Sequence, residues 1–241
     1  MQHFFASKRI DDEFYFSSFD EHHLKNVLRI KNNEEIIVAY DNIFYRCKTV
    51  INANSVYASL IEKLNYSNEL KAHVTLVYGL PKGDKFELVI QKATELGVNE
   101  IIPYEAKRSI VQIEPKKVDS KLERWNKIVH DASMQSKRNI EPQIRRPMKL
   151  NDILKLDGDL KLIAFEEESC FGQETLFKVL NQDLTNKKII LMVGPEGGFE
   201  LDEVNKLVDK GFIRVSLGKR ILRSETAAID MLAIVAFMLE K

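Results

Sequence analysis

From Val74 to the C-terminus, short apolar runs alternate with longer amphipathic stretches, and this alternation restricts the chain more than any other feature. "HVTLVYGL", "EIIPY", "LKLIAFEEE", "KKIILMV" and "FIRVSLG" read as strands. "GDKFELVIQKATELG" predicts a helix with Asp84 as N-cap and Glu87 three residues on, a capping-box pattern. Phe86, Val89, Ile90 and Ala93 form its apolar face, and Gly97 ends it at C′. "VDSKLERWNKIVHDASMQS" predicts a second helix with Leu122, Trp125, Val129 and Ala132 inward. The last helix, "SETAAIDMLAIVAFMLEK" with Ser224 as N-cap, is apolar on most sides and is expected to be buried or at a subunit interface. Such alternation implies an α/β domain with a mainly parallel sheet.

Residues 1–70 read differently. "EEIIVAYDNIFYRCKTVI" is two β-branched runs joined at Asp41-Asn42, a hairpin signal, and "VYASLIEKL" is a further strand. "DEHHLKNVLRI" predicts a short helix capped by Asp20, with Leu24, Val27 and Leu28 on one face. A small β-barrel fits this region. The polar stretch 65–72 marks a boundary, giving domains at 1–70 and 71–241.

The net charge of zero is unevenly spread: −2 over residues 1–70, +6 over 71–150 and −4 over 151–241. The basic middle is either a site for an anionic partner such as RNA or a solvated, Lys-rich pair of helices. No apolar run reaches the ~18 residues of a membrane span. "MQHFFASKRIDDEF" has no signal-peptide core, so a cytoplasmic location is expected. Cys47 and Cys170 stand far apart with no CxxC, which argues against a disulfide framework and a cysteine-rich zinc site; no metal is expected.

Two loops at strand ends carry the chemistry, since ligands of parallel sheets bind beyond the carboxyl ends of strands. "GPEGGF" (194–199) follows the run ending at Val193, and "LGKRILRSETA" (217–227) precedes the last helix. Glycines let backbone approach a ligand closely. Neither GxGxxG nor GxxxxGK[ST] is present, and Pro195 lacks an N–H that a phosphate cradle would use. Phe199, Ile221 and Leu222 suggest a flat, weakly charged ligand such as an adenine ring. A tight turn without a ligand is the alternative for the first loop alone.

"GPEGGF" followed about twenty residues later by "LGKRILRSETA" resembles the signature of the SPOUT methyltransferases, and more narrowly the RsmE family of bacterial 16S ribosomal RNA uracil-N3 methyltransferases. "MQHFF", "HHLKNVLRI", "KGDKFELVIQKATELGV" and "ERWNKIVHDASMQSKRNIEPQI" fall in the order of that family, so the resemblance covers the whole chain. It implies a PUA-like RNA-binding β-barrel, a C-terminal α/β domain with a trefoil knot, S-adenosyl-L-methionine (SAM) as cofactor, and a homodimer. Phe165, Glu166, Val193, Gly194, Glu196, Gly198, Leu217, Gly218, Ile221, Leu222, Thr226 and Ala227 match positions expected around the cofactor. Glu196 either complements the sulfonium charge or fixes its loop.

The implied reaction removes the N3 proton of uracil, and a guanidinium would stabilise the resulting anion. Arg223 is the first candidate and Arg9 the second, brought by one protomer to the pocket of the other. Arg223 paired with Glu225 is the structural alternative. No general base stands out. Lys8, Arg9, Arg29, Lys107, Arg108, Lys137 and Arg138 are candidates for RNA contact. The expected partner is 16S ribosomal RNA, on the assembled 30S subunit if the target base must be exposed there. Another SPOUT specificity and a non-catalytic ribosome-assembly factor are the rival readings.

Overall fold

The computed structural model describes residues 1–52, 55–109, 111–165 and 175–240. They form two compact units, Met1–Glu69 with Ser133–Glu141, and Leu70–Ala132 with Pro142–Lys241.

The first unit contains β1 (Gln2–Phe5), β2 (Lys8–Ile10), β3 (Glu13–Tyr15), α1 (Ser18–His22), β4 (Glu35–Tyr40), β5 (Ile43–Ile51) and β6 (Val56–Lys63). Its six strands are ordered β1-β4-β5-β6-β3-β2. β1 and β2 are consecutive in the chain yet stand at opposite ends of that order. At the bend between them, Ala6 N–H donates to Ala39 O at 3.0 Å and Ser7 N–H donates to Tyr15 O at 2.8 Å. Neighbouring residues thus join the two margins and close the sheet into a barrel. Phe4, Phe14, Ile36, Val38, Cys47 and Val56 fill it. The β4–β5 hairpin turns at Asp41 (φ 50°) and Asn42 (φ 63°), the two positive values that a type I′ turn requires.

The short helix departs from expectation. Ser17, not Asp20, is its N-cap, its hydroxyl accepting from Asp20 N–H. The helix then widens into a π turn over His23–Val27. A wider turn rotates the following residues off the inward face. Leu24 is buried, but Val27 is 60% exposed and Leu28 also faces out.

Residues 133–141, which the sequence division counts with the second domain, pack with the first unit. The Glu69 carboxylate accepts from the Arg138 guanidinium, from Asn139 N–H at 2.7 Å and from Ile140 N–H at 3.3 Å. Asn139 in turn accepts from Asn68 N–H and donates to Asn42 O. Arg138 is only 2% exposed. Its expected role in contacting RNA is therefore corrected: the buried guanidinium is held by the half-buried Glu69 carboxylate.

The second unit contains β7 (His73–Gly79), α2 (Lys85–Glu95), β8 (Glu100–Tyr104), α3 (Val118–Gln135, whose last residues belong to the first unit), β9 (Gln143–Ile144), α4 (Leu150–Ile153), β10 (Leu160–Ala164), α5 (Leu176–Leu180), β11 (Lys188–Val193), α6 (Leu201–Asp209), β12 (Phe212–Val215) and α7 (Ser224–Leu239). The sheet is wholly parallel, ordered β12-β10-β11-β7-β8-β9. It is covered on both faces. Along β11, Ile189, Leu191 and Val193 enter one core with Trp125, Met231 and Val235; Ile190 and Met192 enter the other with Val204 and Phe212. Two-sided burial explains the uninterrupted apolar runs.

Phe86, Val89, Ile90 and Ala93 of α2 are buried, and Gly97 has φ 89°. The capping box at Asp84 does not form, because Glu87 pairs instead with Arg124 of α3 at 2.6 Å. At α7 the N-cap is Arg223, one residue before the expected Ser224. Among the described residues no helix is long and apolar enough to cross a membrane, and no group of three or more His, Cys, Asp or Glu is placed to hold a metal ion.

Candidate functional site

The chain leaves β7 towards β8 and β9 on one side, and later fills the other side with β11, β10 and β12. β7 and β11 are neighbours whose connections diverge, and on the β11 side a crevice opens at the carboxyl ends of β11, β10 and β12, where parallel sheets bind ligands. A cleft of 430 Å³ lies there, a size suited to a nucleoside-like molecule. The ends of β10, β11 and β12 and the start of α7 form its walls.

The first loop crosses the cleft as a turn closed by Gly198 N–H donating to Pro195 O at 2.9 Å. Gly198 takes φ +67°, and a Cβ there would meet nothing within 4 Å. Gly218, in the second loop, takes φ +125° and is equally open. Both therefore keep backbone bare where a ligand can approach. Beneath the loop, a Cβ on Gly79 at the end of β7 would collide with Pro195. Phe165 and Ala227 supply buried apolar wall, with Leu222 half-buried. Ile221 also borders the cleft but is 81% exposed, so it forms rim rather than wall.

Of the expected cofactor positions, the cleft brings together Phe165, Val193, Gly194, Glu196, Gly198, Leu217, Gly218, Ile221, Leu222 and Ala227. Thr226 is corrected: Arg223, Ser224 and Ala227 line the cleft from one helix face, and Thr226 falls off that face, exposed. Glu166 lies outside the described residues. Phe199, read from the sequence as apolar surface for a flat ligand, also lines the cleft, as do Lys85, Pro195, Ser216 and Arg220, which the sequence did not single out for it. Arg220 stands inside the second loop motif, whereas Lys85 is brought in by strand order alone.

Charge at the cleft is mainly positive, from Lys85, Arg108, Arg220 and Arg223 against Glu196. Arg223 is exposed and has no ion-pair partner among the described residues; the alternative pairing with Glu225 does not occur. Arg108 donates to Gly197 O at 3.4 Å. Lys85 contacts Glu196 at 3.1 Å and Glu225 at 3.5 Å. The hydrogen bond to Glu196 is the chief reason the Lys85 ammonium titrates above its ordinary range. Burial works to raise the Glu196 carboxyl, but hydrogen bonds from its own N–H and from Lys85 outweigh it, and the net direction is down.

Arg9 lies in the first unit, on β2. Its guanidinium rests over the Phe14 and Tyr45 rings at 5.0 and 5.1 Å, donates to Asp11 O and pairs with Asp12. Lys8, Arg29 and Lys137 are exposed in the same unit. Lys107 is exposed in the second unit, but salt-bridged to Glu200 and Asp202, each at 3.3 Å.

Two buried phenols border these loops. Tyr78 OH shares a hydrogen bond with Ser224 Oγ at 3.1 Å, and Tyr104 OH donates to Glu203 at 2.5 Å. Both titrate above the ordinary 10.0, with burial as the largest cause. A raised folded value means that their contribution to stability is complete below the unfolded value and lost as pH climbs through the folded one. Melting temperature is therefore expected to fall steeply above about pH 10. A profile still flat one unit higher would contradict it.

The chain is similar to known proteins over its whole length. An RNA methyltransferase domain model matches residues 68–236, and an RNA methyltransferase PUA domain model matches 22–61. Ribosomal RNA small subunit methyltransferase E of Bacillus subtilis is 36% identical over 250 residues, covering 100% of this chain and 98% of that protein. The protein of the same name from Mesomycoplasma hyopneumoniae is 38% identical over 234 residues, covering 96% and 97%. Among solved structures, ribosomal RNA small subunit methyltransferase E from Neisseria gonorrhoeae, bound to S-adenosyl methionine, superimposes with a TM-score of 0.85 at 29% identity, covering 99% of this chain and 98% of that one.

Proposed function

The chain belongs to the ribosomal RNA small subunit methyltransferase E family, and from that premise we propose that it methylates N3 of a uridine in 16S ribosomal RNA using SAM held in the cleft. The observation that carries this reading is the cleft itself: two glycine loops with bare backbone, apolar wall beside them, and an exposed arginine with no ion-pair partner among the described residues. The open positions at Gly198 and Gly218 fit a flat nucleoside pressed against main chain, which is how an adenosyl group would lie. Bound SAM supplies an already activated methyl group, so the residues of this chain need only bind, orient and stabilise charge.

In this reading Phe165, Leu217, Leu222 and Ala227 hold the adenosyl portion by apolar contact. Once N3 has given up its proton to solvent water, Arg223, facing the uracil, stabilises the negative charge spread over N3, O2 and O4. Arg220 and Arg108 bind flanking phosphates, with Lys8, Arg29, Lys107 and Lys137 as further contacts. Arg9 is assigned to RNA positioning from a partner protomer, with the face of its guanidinium that is not stacked on Phe14 and Tyr45. The trefoil knot and the homodimer belong to the same proposal. The wholly parallel sheet, with α7 returning onto β11 and α2, supports the knotted path.

The test is methyl transfer from labelled SAM to 30S subunits lacking their own modification, with nucleoside mass spectrometry of the product. Label on uracil N3 is the expected result. Label on a ribose or another base would replace the specificity, and SAM binding without any transfer would point to a different RNA. Neither binding nor transfer would leave only an RNA-binding assembly factor.

A further inference from the structure

Lys85, the first residue of α2, lies outside both glycine loops. Its ammonium lies 3.1 Å from Glu196 Oε1 and 3.5 Å from Glu225 Oε1. Glu196 sits in the first glycine loop, and Glu225 in the first turn of α7, where the second loop ends. One cation from a third element therefore touches both loops. The surrounding bonds point the same way. Lys82 N–H donates to the Glu196 carboxylate at 3.3 Å, and Ser224, next to Glu225, is tied to Tyr78 of β7.

We propose that Lys85 is a positioning residue that clamps the two loops around the cleft and so sets affinity for the cofactor, an inference that rests on the cleft being the SAM site. The Glu225 side chain is only 13% exposed and that of Glu196 35% exposed. Without the ammonium between them, two partly desolvated carboxylates would keep their hydrogen bonds from Lys82 N–H and Ser224 Oγ but lose the counter-ion they share, and their repulsion would drive the loops apart. Both SAM and its neutral thioether product depend on the same loops. A clamp therefore governs the affinity of both, whereas a direct charge contact with the sulfonium would govern SAM alone.

The experiment compares wild type with Lys85→Met, Lys85→Arg and Lys85→Met combined with Glu225→Gln. It reads calorimetric affinity for SAM and for S-adenosylhomocysteine, steady-state KM and kcat, and amide hydrogen exchange of the unliganded protein. Lys85→Met is expected to weaken both ligands together by about tenfold. KM for SAM should rise while kcat at saturation is largely kept, and exchange should quicken in 194–199 and in 217–223. Lys85→Arg and the double variant should recover most of the loss, the latter because one carboxylate is neutralised. Loss of SAM affinity alone, or unchanged affinity and exchange, would overturn the clamp. Exchange needs no ligand, so the clamp is tested even if the wild-type protein fails to bind SAM, an outcome that removes the cofactor reading instead. If Lys85→Met does not fold, Glu225→Gln alone serves: it should quicken exchange in the second loop and spare the first.

Discussion

Arg223→Ala is expected to lower kcat for methyl transfer by about 10²–10³-fold, the loss seen when one donor to a developing oxyanion is removed. The reason lies in how the four cations at the cleft are employed. Lys85 is taken by two carboxylates, and Arg108 donates to the Gly197 carbonyl. Arg223 is exposed at the start of α7 and pairs with nothing among the described residues. Its backbone is fixed as the N-cap, and its side chain makes no capping hydrogen bond. Because the charge acts on an anion formed only during the reaction, SAM affinity should stay near wild type, and the loss should appear in kcat rather than KM. Arg223→Lys should restore part of the rate, since an ammonium supplies charge without the planar fork. Removing Arg220 should instead weaken RNA affinity and flatten its salt dependence by about one unit of slope. Single-turnover rates with 30S substrate separate these outcomes, and an unchanged rate in Arg223→Ala would falsify the assignment.

Glu203→Ala is expected to produce the largest loss of stability, about 3 kcal/mol, because a buried acceptor serving three donors disappears. Glu203 is fully buried. It accepts from Tyr104 OH at 2.5 Å, from Lys107 N–H at 3.2 Å and from Glu200 N–H at 3.0 Å, the last completing the capping box of α6. For a chain of this length the melting temperature should fall by roughly 6–12 °C. Glu203→Gln should cost less, since one oxygen remains to accept. The damage should also reach the cleft. The loop after β8 carries Arg108, whose main-chain carbonyl lies so close to Gly197 that a Cβ there would sit 3.0 Å away. Calorimetric melting of the three proteins decides the matter; equal melting temperatures would mean that the buried carboxylate is dispensable.

What could be read from the amino-acid order was local. Asp41-Asn42 announced its turn because both positions need positive φ, and the glycine loops showed because little else explains such residues after a buried strand. Errors arose where a distant partner captured a side chain. Glu87 left the expected capping box for Arg124, Ser224 turned to Tyr78 instead of capping α7, and Arg138 found Glu69 sixty-nine residues earlier. Lys85 was invisible for the same reason: its importance depends on β7 lying beside β11, and strand order cannot be deduced from periodicity. The π turn at His23–Val27 defeated a helical wheel that assumes 3.6 residues per turn.

The excursion of residues 133–141 onto the first unit also bears on the order in which a nascent chain can fold. Glu69 receives its partners from Arg138, Asn139 and Ile140, and Met134 packs against the barrel core. When residue 69 leaves the ribosome, the barrel strands are all present but one wall is still unsynthesised. At ~5–20 residues per second, several seconds pass before that wall emerges, with much of the parallel sheet still untranslated. The N-terminal module therefore cannot complete its contacts until residues 133–141 have been made, when β9, β10, β11 and β12 of the second unit still lie ahead in the sequence.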